Sequence, residues 1–376
     1  MPCARARPAG RLAVTLAPLA PPEPPHALWL LDDGLIMGGG QLFALRLACW
    51  ARRPVTIVCP EGSGLWERAT AQGLPCVAAD FPEPSGAHAP AMVAAARRLR
   101  RVLGATTAGR DVVVSGGIRC SLVAASALAA RRGAPPLVHL MHERDSAQRG
   151  SVRLALRRSR RVVAMGSVAA AAYRTALPGA RVVQVNNFLA PDVLDQLVAA
   201  RAARRAVEAP GALRLGVLAR VIPEKGVAAL VDELVAAPGA WGTLAVAGAL
   251  QDADEVARVR SRIQAAGLET RVTLRGAVDD VPAFLDDLDA LVVPSTGNEG
   301  QPTVILEAVA AGLPVIARAP MVSQDFAGLP VVPYTGAADL AGALAEVTAL
   351  GAAPAERLRE RFGVGQVLAA IEQAAS

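Results

Sequence analysis

Two stretches of this chain carry side chains whose types and spacing can do chemistry. In GVLARVIPEKGVAAL, Arg220 and Lys225 fall on the turn between an apolar strand and a helix that opens near Gly226. Two cations beside the free N–H groups of a helix start form a cradle for a diphosphate. Lys225 is the only lysine among 39 Lys and Arg residues, a compact point charge where arginine serves everywhere else. The alternative is that both side chains are simply solvated on an exposed loop.

The second stretch, PSTGNEGQPTVILEAVAAGLPVIA (residues 294–317), is sharper. Gly297 and Gly300 let the backbone approach a ligand closely. Pro302 suits the first turn of a helix, where its missing N–H costs nothing, and it leaves the N–H groups of Thr303 and Val304 free to meet a phosphate. Glu299 lies on the loop and Glu307 one turn along the helix. Each carboxylate can accept from paired hydroxyls, so the two could grip opposite ends of an extended ligand such as a sugar ring and a ribose. Taken singly, either glutamate also reads as an ordinary solvated acid.

The elements that must position these residues alternate regularly. From His26 onward, short apolar runs (HALWLL, VTIVCP, PCVAAD, DVVVSG, PLVHLMH, RVVAMG, RVVQVNN) are separated by helical stretches, and the series restarts with LRLGVLA, TLAVAG, RVTLRG, ALVVPS and LPVIA. Unalternating strands between helices predict parallel sheets covered on both faces. The fold class is α/β, with two Rossmann-like domains facing across a cleft. The expected division is a disordered segment over 1–25, a first domain over 26–190, a linker over 191–212, a second domain over 213–350, and C-terminal helices over 351–376.

Composition narrows the function further. Aromatic content of 3% does not suit a stacking platform for single-stranded nucleic acid, and no nucleic-acid partner is expected. The net charge of +6 is compatible with phosphate-bearing substrates or an anionic membrane surface, and equally with solubility. The five cysteines form no CxxC pair and read as reduced thiols of a cytoplasmic protein. No apolar run is long enough to span a bilayer. Arginines crowd 97–101 and 153–161, which could hold the protein peripherally on anionic lipid or could be a solvated helix face.

The stretch Glu299-Gly300-Gln301-Pro302, Glu307-Ala308, Gly312-Leu313-Pro314-Val315-Ile316 resembles the signature of retaining GT-B glycosyltransferases of family 4. The family's strand followed by an Arg and a Lys–Gly pair is matched by Arg220 and Lys225–Gly226, and its glycine loop by Gly38-Gly39-Gly40. The resemblance implies a nucleotide diphosphate sugar as donor substrate, no metal or organic cofactor, and retention of configuration. Arg220 and Lys225 would bind the diphosphate, Glu299 the transferred sugar, Glu307 the ribose, and the backbone of Thr303 and Val304 the phosphate. Gly39 and Gly40 would shape the loop where donor and acceptor meet. His142, at the end of PLVHLMH, would approach the sugar, whereas His139 would pack within the strand; Glu143 or Asp145 would orient the acceptor. The acceptor itself, small-molecule or lipid-linked, is left open. Three departures stand out: Gln41 where the family commonly has Glu, Gln301 near the expected sugar, and ARAPMVSQDFAG where a pair of glycines commonly follows. Gln301 would alter selectivity around the sugar, while Gln41 and the altered loop keep a GT-B protein without independent activity in view; a sugar-nucleotide 2-epimerase is a separate alternative.

Overall fold

The computed structural model of the protein describes residues 27–83, 88–106, 110–129, 131–142, 150–159, 161–201, 213–297 and 299–376. Residues 1–26, residues 143–149 with Glu143 and Asp145, Arg160, and the side chains of Arg157 and Arg158 lie outside what it describes.

Among the described residues the first domain holds strands β1 (Leu28–Asp32), β2 (Val55–Cys59), β3 (Cys76–Ala78), β4 (Val112–Gly116), β5 (Leu137–Met141), β6 (Arg161–Met165) and β7 (Arg181–Val185). Between and after them run α1 (Gly39–Trp50), α2 (Gly64–Ala71), α3 (Ala89–Val102), α4 (Ile118–Leu128), α5 (Gly150–Ser159), α6 (Gly166–Ala176) and α7 (Pro191–Arg201). The second domain holds β8 (Arg214–Leu218), β9 (Thr243–Ala247), β10 (Val272–Gly276), β11 (Ala290–Val293), β12 (Val315–Arg318) and β13 (Val331–Tyr334). Its helices are α8 (Val227–Val235), α9 (Ala253–Ala265), α10 (Val281–Asp286), α11 (Thr303–Ala310), α12 (Ala337–Val347) and α13 (Ala355–Phe362), followed by α14 (Val364–Ala375).

Both sheets are parallel, with orders β3-β2-β1-β4-β5-β6-β7 and β10-β9-β8-β11-β12-β13. Separate apolar clusters fill the two faces of each sheet, which is why the strands are apolar throughout and do not alternate. Each winding reverses between its first and fourth strands, β1/β4 and β8/β11. Loops after the carboxyl ends of such a pair diverge and open a crevice. The loops after β1, β4, β8 and β11 are therefore the ones placed to build a site, and the motif residues fall on them.

Strand β13 is absent from the sequence reading. Its segment carries Pro330 and Pro333, which resemble turn residues, but β13 lies at the sheet edge, where a missing N–H costs no ladder bond. Within the 191–212 stretch, 191–201 is helix α7, and Leu194 and Leu197 are buried in the second domain beside Leu285 and Leu306. Helix α14 crosses back, burying Val367, Ile371 and Ala374 among the first-domain strands. The two crossings lie side by side, the N–H of Leu189 donating to the carbonyl of Phe362 at 3.2 Å. No helix among the described residues is long and apolar enough to cross a membrane.

Candidate active site

A cavity of about 180 Å³ opens between the domains, lined by Gly38, Gly39, Arg220, Lys225, Ser295, Glu299, Pro302, Thr303 and Val304. Two helix starts meet here. Helix α11 begins at Thr303 behind Pro302, and α1 begins at Gly39 behind Gly38, and neither start receives a side-chain cap. A Cβ on Gly39 would stand 3.9 Å from the Thr303 hydroxyl. Glycine and proline have no side-chain acceptor to offer, so the first N–H groups of both helices remain available to an anion, and both dipoles favour it.

Lys225 is delivered to this cavity by a constrained turn. Gly226 has φ of 69°, and a Cβ there would fall 2.3 Å from the Pro294 carbonyl, so only glycine lets the β8 loop lie against the end of β11. The Lys225 ammonium pairs with the Glu299 carboxylate, which also accepts from the Ser295 hydroxyl at 3.2 Å. Arg220 stands at the rim, its guanidinium donating to Gln251 at 3.0 Å.

Glu307 does not line the cavity. Its carboxylate is buried against the first domain, where Arg46 on α1 donates to Oε1 at 3.1 Å. Burial pushes the Glu307 pKa up while Arg46 opposes the rise. Nothing local marks Arg46 among so many arginines, and it was missed in the sequence.

A second cavity, of about 400 Å³, lies on the first-domain side, lined by Asp32, Asp33, Gly38, Gly39, Gly40, Gln41, Arg119, His142 and Arg220 among others. Gly38, Gly39 and Arg220 border both cavities. Asp32 ends β1 and accepts from the Gly34 N–H at 2.8 Å and from Gln41 Nε2 at 2.9 Å. Burial raises its pKa to about 6, against the lowering pull of those hydrogen bonds. The amide at Gln41 is thereby explained: a glutamate would set a second carboxylate against Asp32. His142 rests edge-on against Phe43 at 4.8 Å between ring centres. Burial lowers its pKa to about 4, so the imidazole is neutral at physiological pH. His139 is fully buried within β5, with Nδ1 3.1 Å from the Ser115 hydroxyl.

One expectation drawn from the departures is corrected. Gln301 does not face the donor cavity; its side chain accepts from the Asn187 N–H at 2.5 Å and donates to Asn186 at 3.1 Å, clasping the chain just before its first crossing. The segment after β12 docks the first domain, where Asp325 accepts from the Ser167 N–H at 2.7 Å and its hydroxyl at 2.9 Å, capping α6 from outside. Among the described residues, no group of three His, Cys, Asp or Glu side chains is gathered as for a metal ion.

The family model Glycosyltransferase Family 4 matches residues 37–193, and that of Glycosyl transferases group 1 matches residues 212–349. Among solved structures, HepE of Anabaena in complex with UDP and glucose is 20% identical, with 93% of this chain and 98% of that one covered and a TM-score of 0.70. Sucrose-phosphate synthase of Thermosynechococcus elongatus is 18% identical, with the same coverages and a TM-score of 0.70. The lipopolysaccharide outer core galactosyltransferase WaaB is 15% identical, with the same coverages and a TM-score of 0.66. No curated protein sequence matches the chain. With both domains matched in order and the two parallel sheets facing across the cleft, the chain belongs to the group 1, family 4 glycosyltransferases and is a glycosyltransferase of the GT-B fold.

Proposed function

We propose that the protein moves a hexose-type sugar from a nucleoside diphosphate donor to an acceptor hydroxyl with retention of configuration. The observation that carries this reading is the meeting of two uncapped helix starts, Gly39 and Thr303, with Lys225, Arg220 and Glu299 around one cavity. As the bond between the anomeric carbon and the β-phosphate oxygen breaks, the leaving diphosphate gathers negative charge. Lys225, Arg220 and the N–H groups of Thr303 and Val304 stabilise that charge with dipoles already in place. Glu299 orients the transferred sugar through its hydroxyls, and Glu307, one helical turn behind Thr303 with Oε1 held by Arg46, would offer its other carboxylate oxygen to a ribose that extends past the cavity lining. The acceptor oxygen bonds to the anomeric carbon on the face being vacated, and its proton passes to the departing phosphate oxygen. His142, held neutral, contributes a hydrogen bond to the sugar without adding charge. The nucleotide sugar is consumed as a substrate and the nucleoside diphosphate leaves as the coproduct, so the transfer calls for no cofactor.

UDP-glucose is the first donor to test, because HepE was solved with UDP and glucose. Purified protein would be incubated with UDP-, GDP- and dTDP-sugars together with a panel of sugar, alkyl-glycoside and lipid-linked hydroxyl acceptors, with nucleoside diphosphate release followed over time. Release with one base, slowed roughly 10²–10³-fold by Lys225→Ala, is expected, and the anomeric coupling in the product's proton NMR spectrum should match the donor's. No release with any donor would overturn the reading.

A further inference from the structure

We infer that the acceptor is an amphiphilic glycoside, with a neutral, polyhydroxylated head in the cavity beside His142 and an apolar aglycone in the groove that continues from it. The inference rests on the glycosyl-transfer reading for what happens to the head, while the groove stands on its own geometry.

The head cavity and a groove of about 360 Å³ share Asp33 and Arg119 as a common wall. Beyond that wall the character changes. Leu35, Pro60, Phe81, Pro82, Ala91 and Ala94 line most of the groove, with the exposed Arg98–Asp80 pair, 3.4 Å apart, also bordering it. Ala91, Ala94 and Ala95 fall on one face of α3, so three small side chains leave open a channel that larger ones would fill. Leu35 and Ile36, on the loop after β1, are 67% and 55% exposed at the two mouths. That loop is held in place, the Leu35 carbonyl accepting from the Gly64 N–H at 3.0 Å. Two large aliphatic side chains presented to water on an anchored loop, beside an open apolar channel, match an apolar ligand.

The head cavity selects differently. Asp32, Asp33 and Glu83 bring three carboxyl groups to it, against Arg119 and Arg220. Arg119 is already engaged: Nε and Nη2 donate to Asp33 at 3.1 and 3.2 Å, and Nη1 donates to Glu83 at 3.0 Å. An anionic head would meet three carboxyl groups, and Arg119 already serves two of them, which among the described lining residues leaves Arg220, at the donor side, as the one cation not paired with a carboxylate. Vicinal hydroxyls would instead donate to them, as sugars do to carboxylates. Because Gly39 borders both this cavity and the donor cavity, a hydroxyl on such a head lies next to the reacting centre.

The test is donor-free binding to the full chain, read by ligand-observed NMR titration with methyl, butyl, hexyl and octyl glucoside below micelle-forming concentrations, and with hexyl phosphate as the anionic comparator. Affinity should rise roughly threefold per methylene over the first few carbons, and hexyl phosphate should bind at least tenfold more weakly than hexyl glucoside. Ala94→Glu, with Ala91→Glu as a second variant and thermal melts confirming that each folds, should flatten the dependence on chain length. Equal affinity from methyl to octyl, no binding of the octyl glycoside, stronger binding of the phosphate, or an unchanged length dependence in both folded variants would each overturn the inference. A length dependence that persists in a protein releasing no nucleotide from any donor would remove the glycosyl-transfer reading and leave the groove.

Discussion

Arg46 and Glu307 meet across the two domains at 3.1 Å, with side-chain exposures of 14% and 8%. Helices α1 and α11 both begin at the donor cavity, and this pair ties them together again further from it. The cavity wall and the domain contact are therefore built from the same two helices.

Removing one member of this pair leaves the other charge poorly solvated, so Arg46→Met and Glu307→Gln should each destabilise the fold. The double variant should lose less than the sum, with a coupling of about 1–3 kcal/mol by denaturant unfolding. Burial already draws the Glu307 pKa upward against Arg46. In Arg46→Met, Glu307 should therefore hold its proton nearer neutrality, weakening nucleotide binding roughly tenfold at pH 7 and regaining it as pH rises. Calorimetry that finds the same nucleotide affinity in the folded variant at every pH would remove Glu307 from the donor site.

Lys225 and Glu299 form one unit. Lys225→Ala should lower kcat by roughly 10²–10³ with little loss of stability, because its charge matters most once the bond to the leaving group has lengthened. Lys225→Arg should recover part of that loss, since a planar fork does not reproduce a point charge. Glu299→Gln on top of Lys225→Ala should cost far less than it does alone. Strictly multiplicative losses in steady-state kinetics would argue that the two act separately.

Asp32 should give the stability curve an acid-side signature. Its folded pKa stands near 6, raised chiefly by burial, above the ordinary value of 3.8. The folded chain thus holds this proton more tightly than the unfolded chain does. The contribution is present below pH 4 and is lost as pH rises through about 6, with a ceiling of roughly 3 kcal/mol. Asp32→Asn keeps an acceptor for Gly34 and Gln41 and should gain on the wild type steadily between pH 4 and 7. Gln41→Glu should lose stability over the same interval, as two carboxyls that can share a proton in acid are forced to ionise together. Parallel urea titrations at several pH values would expose an absent divergence.

Gly300 lies in the contact between the domains. Its N–H donates to the His142 carbonyl at 2.9 Å, and a Cβ would stand 2.5 Å from that carbonyl and 2.7 Å from the Met165 carbonyl. Backbone on both sides cannot move aside cheaply, so Gly300→Ala should wedge the domains apart. Small-angle scattering should show a larger radius of gyration, and melting should come at lower temperature. Gln301→Ala should lower stability by about 1–3 kcal/mol through the orphaned Asn187 N–H and Asn186 Oδ1, while leaving donor-sugar preference as in the wild type. A changed preference in Gln301→Ala, measured by competition between donors, would return that side chain to the sugar.

The amino-acid sequence by itself determined what is local. Runs of Val, Leu and Ile bounded by turns mark the strands, and Gly226 and Pro302 mark turns whose geometry depends on a few neighbours. Lys225 with Gly226, and Glu299 with Thr303, could thus be read in short segments, and the two segments meet because β8 and β11 are adjacent in a parallel sheet. What only the tertiary structure decided are the partners far along the chain. Arg46 for Glu307, Asn187 for Gln301, Arg119 for Asp33 and Glu83, and Asp325 for Ser167 are ordinary residues in their own segments. A side chain's partner across a domain contact depends on how two sheets are brought together, and no spacing along the chain encodes that. The same limit explains β13, whose prolines look like turns until an edge position makes them harmless, and α14, whose apolar face is completed by the domain the chain left long before.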